Sequence, residues 1–204
     1  MKYVIEHMEE GFTQWVILEY SQILRDLGPE NLLLTSLPST TKESDIPKQL
    51  LSLGLQWTTK ELTEIISVPA SRLCLLDPRA TQDLQPEDGT QFDYFIFGGI
   101  LGDHPPRDRT TELKIKLGNC ATRRLGELQM TTDTAIRVTN LIIEKKQKFE
   151  EIPFIDYPEI RYNKREATEM PFRYVLDEEK KPILPQGMLE LIKKDAEKSL
   201  DDFF

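Results

Sequence analysis

Apolar positions along the chain switch between two spacings. Short β-rich runs occur at Tyr3 to Glu6, Leu32 to Thr35, Arg72 to Leu76, Tyr94 to Leu101 and Ala121 to Leu125. Between them lie helical patterns, and this alternation predicts an α/β fold, a parallel sheet flanked by helices. The first helix is expected over about Phe12 to Leu27, because Phe12, Trp15, Val16, Ile23, Leu24 and Leu27 recur at helical spacing and Gly28-Pro29 stops it. A second fits Thr59 to Ser67, before Pro69. A third begins at Thr131 or Thr132, either of which can cap it, and reaches about Lys148 with Ala135, Val138 and Ile142 on one face. Polar loops are expected at Pro38 to Pro47 and at Arg79 to Gln91.

After Phe149 the pattern changes. Residues 150 to 185 contain five prolines, mix charges with Phe154, Tyr157, Tyr162, Phe172 and Tyr174, and keep no period. That composition predicts an extended arm packed on the domain through its aromatics, followed by a last helix over Gln186 to Leu200. The 204 residues suffice for one domain of ordinary size. Residues 1–150 are therefore expected to form the domain, and residues 151–204 an arm and helix packed on it. No apolar run approaches the roughly 20 residues needed to span a bilayer, and the start Met1-Lys2-Tyr3-Val4-Ile5-Glu6 lacks the apolar stretch of a signal peptide. A cytoplasmic protein without a membrane partner is expected. Cys74 and Cys120 are isolated and lack the paired spacing of a zinc site, so reduced structural thiols and no metal are expected.

Charge adds a statement about partners. The net charge is −9, and it is uneven: residues 1 to 30 carry six acids against two bases and residues 150 to 204 fourteen against nine, whereas the middle balances at fifteen each. Acidic surface repels phosphate and attracts cations, so a basic protein is favoured as partner and nucleic acid disfavoured. Plain solubility explains the same excess.

Three loops could carry chemistry. In Phe92-Asp93-Tyr94-Phe95-Ile96-Phe97-Gly98-Gly99-Ile100-Leu101-Gly102-Asp103 an apolar strand runs into three glycines and an acid. Glycine lets main chain approach a flat ligand, and the carboxyl ends of parallel strands are where open sheets bind ligands. A simple turn explains a glycine pair as well. The second loop, Arg124-Leu125-Gly126-Glu127-Leu128-Gln129-Met130-Thr131-Thr132, leads from a strand to a helix whose first-turn amides are expected to be free for a ligand, or merely capped. The third, Leu75-Leu76-Asp77-Pro78-Arg79, also follows a strand.

Together, in this order, these loops resemble the SPOUT class of methyltransferases. The string Gly98-Gly99-Ile100-Leu101-Gly102-Asp103-His104-Pro105-Pro106-Arg107-Asp108-Arg109-Thr110 is similar to the branch of that class that methylates an arginine of a small-subunit ribosomal protein. The resemblance covers roughly residues 1 to 150. It implies a C-terminal trefoil knot, which connection rules alone would not give. It further implies S-adenosylmethionine held largely by backbone, at Leu76, Asp77 and Pro78, at Gly98, Gly99, Ile100, Leu101, Gly102 and Asp103, and at Leu125, Gly126, Met130, Thr131, Thr132 and Ala135.

An arginine substrate sets further demands. Guanidinium stays protonated and presents five donors in a plane, so carboxylates should receive it. Glu9 and Glu10 follow the first strand and Asp103 follows the glycine loop. Glu19 falls inside the apolar stripe of the first helix, where a charge is costly unless paired, so a catalytic role and a salt bridge to Arg25 or Arg137 both fit. Trp15 could stack on a guanidinium or serve the core. Glu19, Asp103, Glu10 and Trp15 are thus the catalytic candidates. His104 reads as an exposed loop residue, His7 has no recognisable partner, and Arg107 and Arg109 could meet the cofactor carboxylate or position their loop. An RNA methyltransferase and a non-catalytic binding module remain as alternatives, although no basic stripe interleaved with aromatics supports the former. SPOUT proteins are usually dimers, but the arm after Phe149 could cover the dimer face, so a monomer is expected.

Overall fold

The computed structural model of the chain describes residues 2–7, 11–99, 109–161 and 167–201. Six strands form one parallel sheet: β1 (Lys2–His7), β2 (Leu32–Thr35), β3 (Gln56–Trp57), β4 (Leu73–Leu76), β5 (Tyr94–Gly99) and β6 (Ala121–Arg123), in the order β3-β2-β1-β5-β4-β6. The expected strands are all present; β3, two residues at the edge, carries too little pattern to be anticipated.

Side chains alternate across a strand, and here both faces are covered. Tyr3 and Ile5 of β1 pack in the larger cluster with Val16, Tyr20, Ile23 and Leu24 of α1 (Gln14–Leu27) and Ile136, Val138 and Ile142 of α6 (Thr132–Ile143). Val4 enters the opposite cluster with Leu62 of α3 (Leu62–Ile65) and Leu113 of α5 (Arg109–Lys116). Two short helices, α2 (Lys48–Ser52) and α4 (Asp88–Gln91), lie in the stretches expected to be polar loops or left unassigned. Helix α1 starts where Thr13 accepts a hydrogen bond from the Val16 amide and ends at Gly28 with φ of 79°. Helix α6 stops at Ile143, short of the expected Lys148, and Lys146 just beyond has a positive φ of 56°.

The segment after Phe149 is more regular than an extended arm. Strand β7 (Phe154–Asp156) pairs antiparallel with β10 (Arg173–Val175), and β8 (Glu159–Arg161) with β9 (Ala167–Glu169). Helix α7 (Met188–Asp201) follows. Their apolar residues Ile160, Met170, Tyr174, Met188 and Ile192 gather on Leu18 of α1. Strands this short show too few alternations to register as a period. The trefoil knot depends on the chain between β5 and β6, part of which, residues 100–108, lies outside the described residues.

Candidate active site

A cavity of about 860 Å³ opens at the carboxyl ends of β4, β5 and β6. That size suits a drug-sized ligand. From the expected cofactor set Leu76, Asp77, Pro78, Gly98, Leu125 and Gly126 line it, as do Met130, Thr131, Thr132 and Ala135. Ile100, Leu101, Gly102 and Asp103, and with them Glu9, Glu10, His104 and Arg107, lie outside the described residues.

Gly99 of the same set is not among the residues that line the cavity. A Cβ there would sit 2.9 Å from the Tyr20 hydroxyl and 3.0 Å from Glu6 O and Ile5 Cγ2, so its glycine serves close packing against β1 and α1. Gly98, one residue earlier, faces the other way and reaches the cavity. Gly126 has φ of 74°, and a Cβ there would come within 2.7 Å of Phe149 Cζ. A side chain at Gly126 therefore disturbs backbone and packing before any ligand arrives.

The first-turn amides of α6, expected to be free for a ligand or capped, stand near protein carboxyls. Those of Thr132 and Asp133 face the carboxyl of Glu19, and that of Thr134 faces Asp133. Glu19 is fully buried and Asp133 only 1% exposed. Glu19 Oε1 accepts a 2.6 Å hydrogen bond from the Trp15 indole. The amides stand beyond a full hydrogen bond, since Glu19 Oε2 and both Asp133 oxygens are unpartnered among the described residues. Burial first, then the charge of Asp133, lift the Glu19 carboxyl well above the ordinary range. Burial likewise pushes Asp133 up to about 6, opposed by the Thr131 side chain and the Arg137 charge. The anticipated salt bridge to Glu19 is not made by Arg25 or Arg137 among the described residues; Arg137 pairs with Asp26 at 2.5 Å. Trp15 lines the cavity, whereas Glu19 stands behind it.

Other walls were not foreseen. Arg123 and Arg124 line the cavity, but Asp88 holds the first through two-pronged hydrogen bonds and Asp83 the second at 2.7 Å. The segment after β8 contributes Thr168, Glu169, Met170 and Phe172, and α7 adds Ile192 and Asp195. Only the aromatic spacing of that segment hinted at packing, and nothing pointed to the cavity. His7 does have partners: its Nδ1 lies 3.1 Å from the Tyr20 hydroxyl and its ring stacks on Phe12 at 5.0 Å. Burial pushes its pKa down to about 4. Cys74 and Cys120 are free and buried.

The comparisons with known proteins bear on what this cavity does. The family model described as protein arginine N-methyltransferase SFM1-like matches residues 2–199. The chain belongs to this SFM1-like family. The protein arginine N-methyltransferase SFM1 of Saccharomyces cerevisiae is 68% identical over 210 aligned positions, covering 99% of this chain and 99% of that one. The crystal structure of the yeast arginine methyltransferase SFM1 complexed with SAM matches with a TM-score of 0.91 at 68% identity, covering 95% of this chain and 90% of the other. That of the same enzyme complexed with SAH gives 0.89 at 67%, with 94% of each chain covered. The dual specific Trm10 from Thermococcus kodakaraensis shares the fold alone, with a TM-score of 0.51 at 17% identity over 73% of this chain and 96% of that one. In this SFM1-like methyltransferase no helix among the described residues is long and apolar enough to cross a membrane.

Proposed function

We propose that the cavity transfers a methyl group from S-adenosylmethionine to an arginine of a basic protein, a small-subunit ribosomal protein in the first instance. The observation that carries this reading is one open cavity at the ends of adjacent parallel strands, lined from all three strand-end loops of a chain in the SFM1-like family. Its volume fits a nucleoside with an amino-acid tail beside an arginine side chain.

Bound there, S-adenosylmethionine supplies an electrophilic methyl on a sulfonium. Leu76, Asp77 and Pro78 hold it from one side, Gly98 from the strand end, and Leu125, Gly126, Met130, Thr131, Thr132 and Ala135 from the other. Asp77 keeps its geometry because its Oδ1 accepts from the Arg79 amide at 2.9 Å while its own amide donates to Arg123 O at 2.9 Å. Ile100, Leu101, Gly102, Asp103 and Glu10 complete the reading from outside the described residues.

The protein's own task is to align acceptor with methyl and to stabilise the charges of an in-line displacement. Trp15 offers an indole face to the guanidinium. Asp77, Glu169 and Asp195 are carboxylates of the wall that balance its charge and can take the N–H proton it gives up as the nitrogen–methyl bond forms and the sulfur–methyl bond breaks, while Arg123 and Arg124 are neutralised by Asp88 and Asp83. The acidic ends of the chain favour a basic protein. A monomer in the cytoplasm completes the reading: the segment from β7 to α7 packs on α1, whose outer face is thereby covered.

Calorimetry with S-adenosylhomocysteine should show one site per chain. Labelled S-adenosylmethionine incubated with small ribosomal subunits should label protein. Label in RNA overturns the substrate assignment, and no binding at millimolar ligand overturns the cavity's role.

A further inference from the structure

Behind the cavity, α1, α6 and β10 bring together more unsatisfied polar atoms than a buried site tolerates without a reason. Glu19 Oε2, both oxygens of Asp133, the Tyr174 hydroxyl and Arg137 Nη1 are all buried without a hydrogen-bond partner among the described residues. Each such atom costs free energy, and two neighbouring buried carboxylates, if both were charged, would add repulsion. A proton on Glu19 Oε2 resolves most of this. Oε1 still accepts from Trp15, Oε2 becomes a donor, and the nearby carboxylate of Asp133 is spared the repulsion of a second buried charge.

We infer that Glu19 and Asp133 are positioning residues of the methyl-transfer site, a pair that retains one proton and so ties Trp15 of α1 to the first turn of α6. The inference rests on the proposed function, because it gives the two tied elements meaning as cavity walls: Trp15 on one, Thr131, Thr132 and Ala135 on the other. Glu19 is not among the residues that line the cavity, so it acts through Trp15 and through the nearby amides of Thr132 and Asp133.

The surroundings of the pair are consistent with a retained proton. Arg137 of α6 faces Asp133 but is engaged by Asp26 of α1. Strand β10 presents only the Tyr174 phenol, whose ionisation burial and the two carboxyls oppose. The apolar Met188 and Ile192 of α7 pack in one cluster with Tyr174. No neighbour among the described residues supplies the second positive charge that a doubly ionised pair would need.

The test uses the full chain with Trp57→Phe, which leaves Trp15 as the one remaining tryptophan. Its emission and the Kd of S-adenosylhomocysteine are followed against pH. Both should hold through neutrality and change together as alkali removes the retained proton. Glu19→Gln keeps an oxygen for Trp15 and stays neutral with an N–H donor in place of the retained proton, so it should keep the neutral-pH values and abolish the alkaline change. Glu19→Ala should weaken S-adenosylhomocysteine about tenfold or more by loosening Trp15 and α6. The inference is overturned if Glu19→Gln weakens the ligand as much as Glu19→Ala, or if it retains the alkaline change in emission. Should the unsubstituted protein bind no S-adenosylhomocysteine, the proposed function fails, and the emission profile alone still decides the retained proton.

Discussion

The cavity has two unlike walls. One is carried by the parallel sheet: Leu76 to Pro78, Gly98 and Leu125 to Ala135 stand at or just beyond strand ends anchored by buried Cys74, Leu75, Phe95 and Ile96. The other, Thr168 to Phe172 with Ile192 and Asp195, hangs on three-residue strand pairs and one helix resting on Leu18. The first wall is placed by a hydrogen-bonded lattice of many residues, the second by side-chain contacts that cross the chain. A seam joins them, where the Arg173 amide donates to Gln129 O at 2.9 Å and its guanidinium lies 4.9 Å from the Phe154 ring centroid. Phe149, beside Gly126, packs on Phe154 at 5.1 Å between centroids. Precision at the sheet wall should therefore fail through backbone, and at the C-terminal wall through packing.

Gly126→Val attacks the sheet wall and the seam together, and has the largest expected effect. A branched residue at φ of 74° is strained, and its Cβ overlaps Phe149 at 2.7 Å. The two costs sum to about 3 kcal/mol or more. Denaturant unfolding should report that loss alongside weakened S-adenosylhomocysteine binding. Loss of binding at full stability would instead assign Gly126 to ligand approach alone.

Asp133→Asn sharpens the comparison at the root of the sheet wall. Asp133 titrates at about 6 in the folded protein against 3.8 ordinarily. Below the lower value its burial costs nothing; stability is then lost as pH rises through the window from about 4 to 6, up to about 3 kcal/mol at 1.36 kcal/mol per unit. Asparagine does not titrate, so the melting temperature of the variant minus that of the parent should rise through that window and climb further at higher pH, because the lost Asp133 charge no longer holds up the pKa of Glu19. His7 works oppositely, its neutral buried ring losing stability as pH falls from 6.5 towards 4, but it is present in both proteins and cancels. A difference that stays flat with pH would remove Asp133 from the buried titrating pair.

The two walls were unequally legible for the same physical reason. Strands β1, β4 and β5 are buried on both faces and read as continuous apolar runs, so their ends, and the glycines beyond them, could be named from sequence. Helix α6 announced itself through Thr131, Thr132 and its apolar face. Helix α5 did not, because among its described side chains only Leu113 near its middle is buried while Ile115 stays 69% exposed. Glu19 stood out as a charge in an apolar stripe, but its true neighbours, Asp133 and the α6 amides, are more than a hundred residues away, and no local pattern points to them. Glu169 and Asp195 reached the cavity by the same kind of long-range packing.

Arg173→Ala probes the C-terminal side of the seam. Its ion pair with Asp156 at 2.6 Å is half open to solvent on the acid's side and contributes little. Stacking on Phe154 and the buried stem contribute more, so a total loss of about 1 kcal/mol is expected, with a smaller loss of ligand affinity than at Gly126. An effect on binding as large as that of Gly126→Val would show the two walls to be one cooperative unit.

Tyr174→Phe is the mildest test and the most discriminating for the C-terminal wall. The ring is buried among Leu18, Met170, Met188 and Ile192, and phenylalanine keeps that contact area. The hydroxyl has no hydrogen-bond partner among the described residues, so removing it sheds a desolvation cost without breaking a bond. Stability should stay within about 1 kcal/mol of the parent and shift upward. Burial first, and then the neighbouring carboxyls of Asp133 and Glu19, raise the phenol's pKa, so it remains neutral at any working pH and its loss should leave the Asp133 stability profile in place. Differential scanning calorimetry at several pH values checks both. If Tyr174→Phe instead destabilises the protein and moves that profile, the hydroxyl is a donor to the carboxyl pair, and the C-terminal wall is tied to the base of the sheet wall by a hydrogen bond rather than by packing alone.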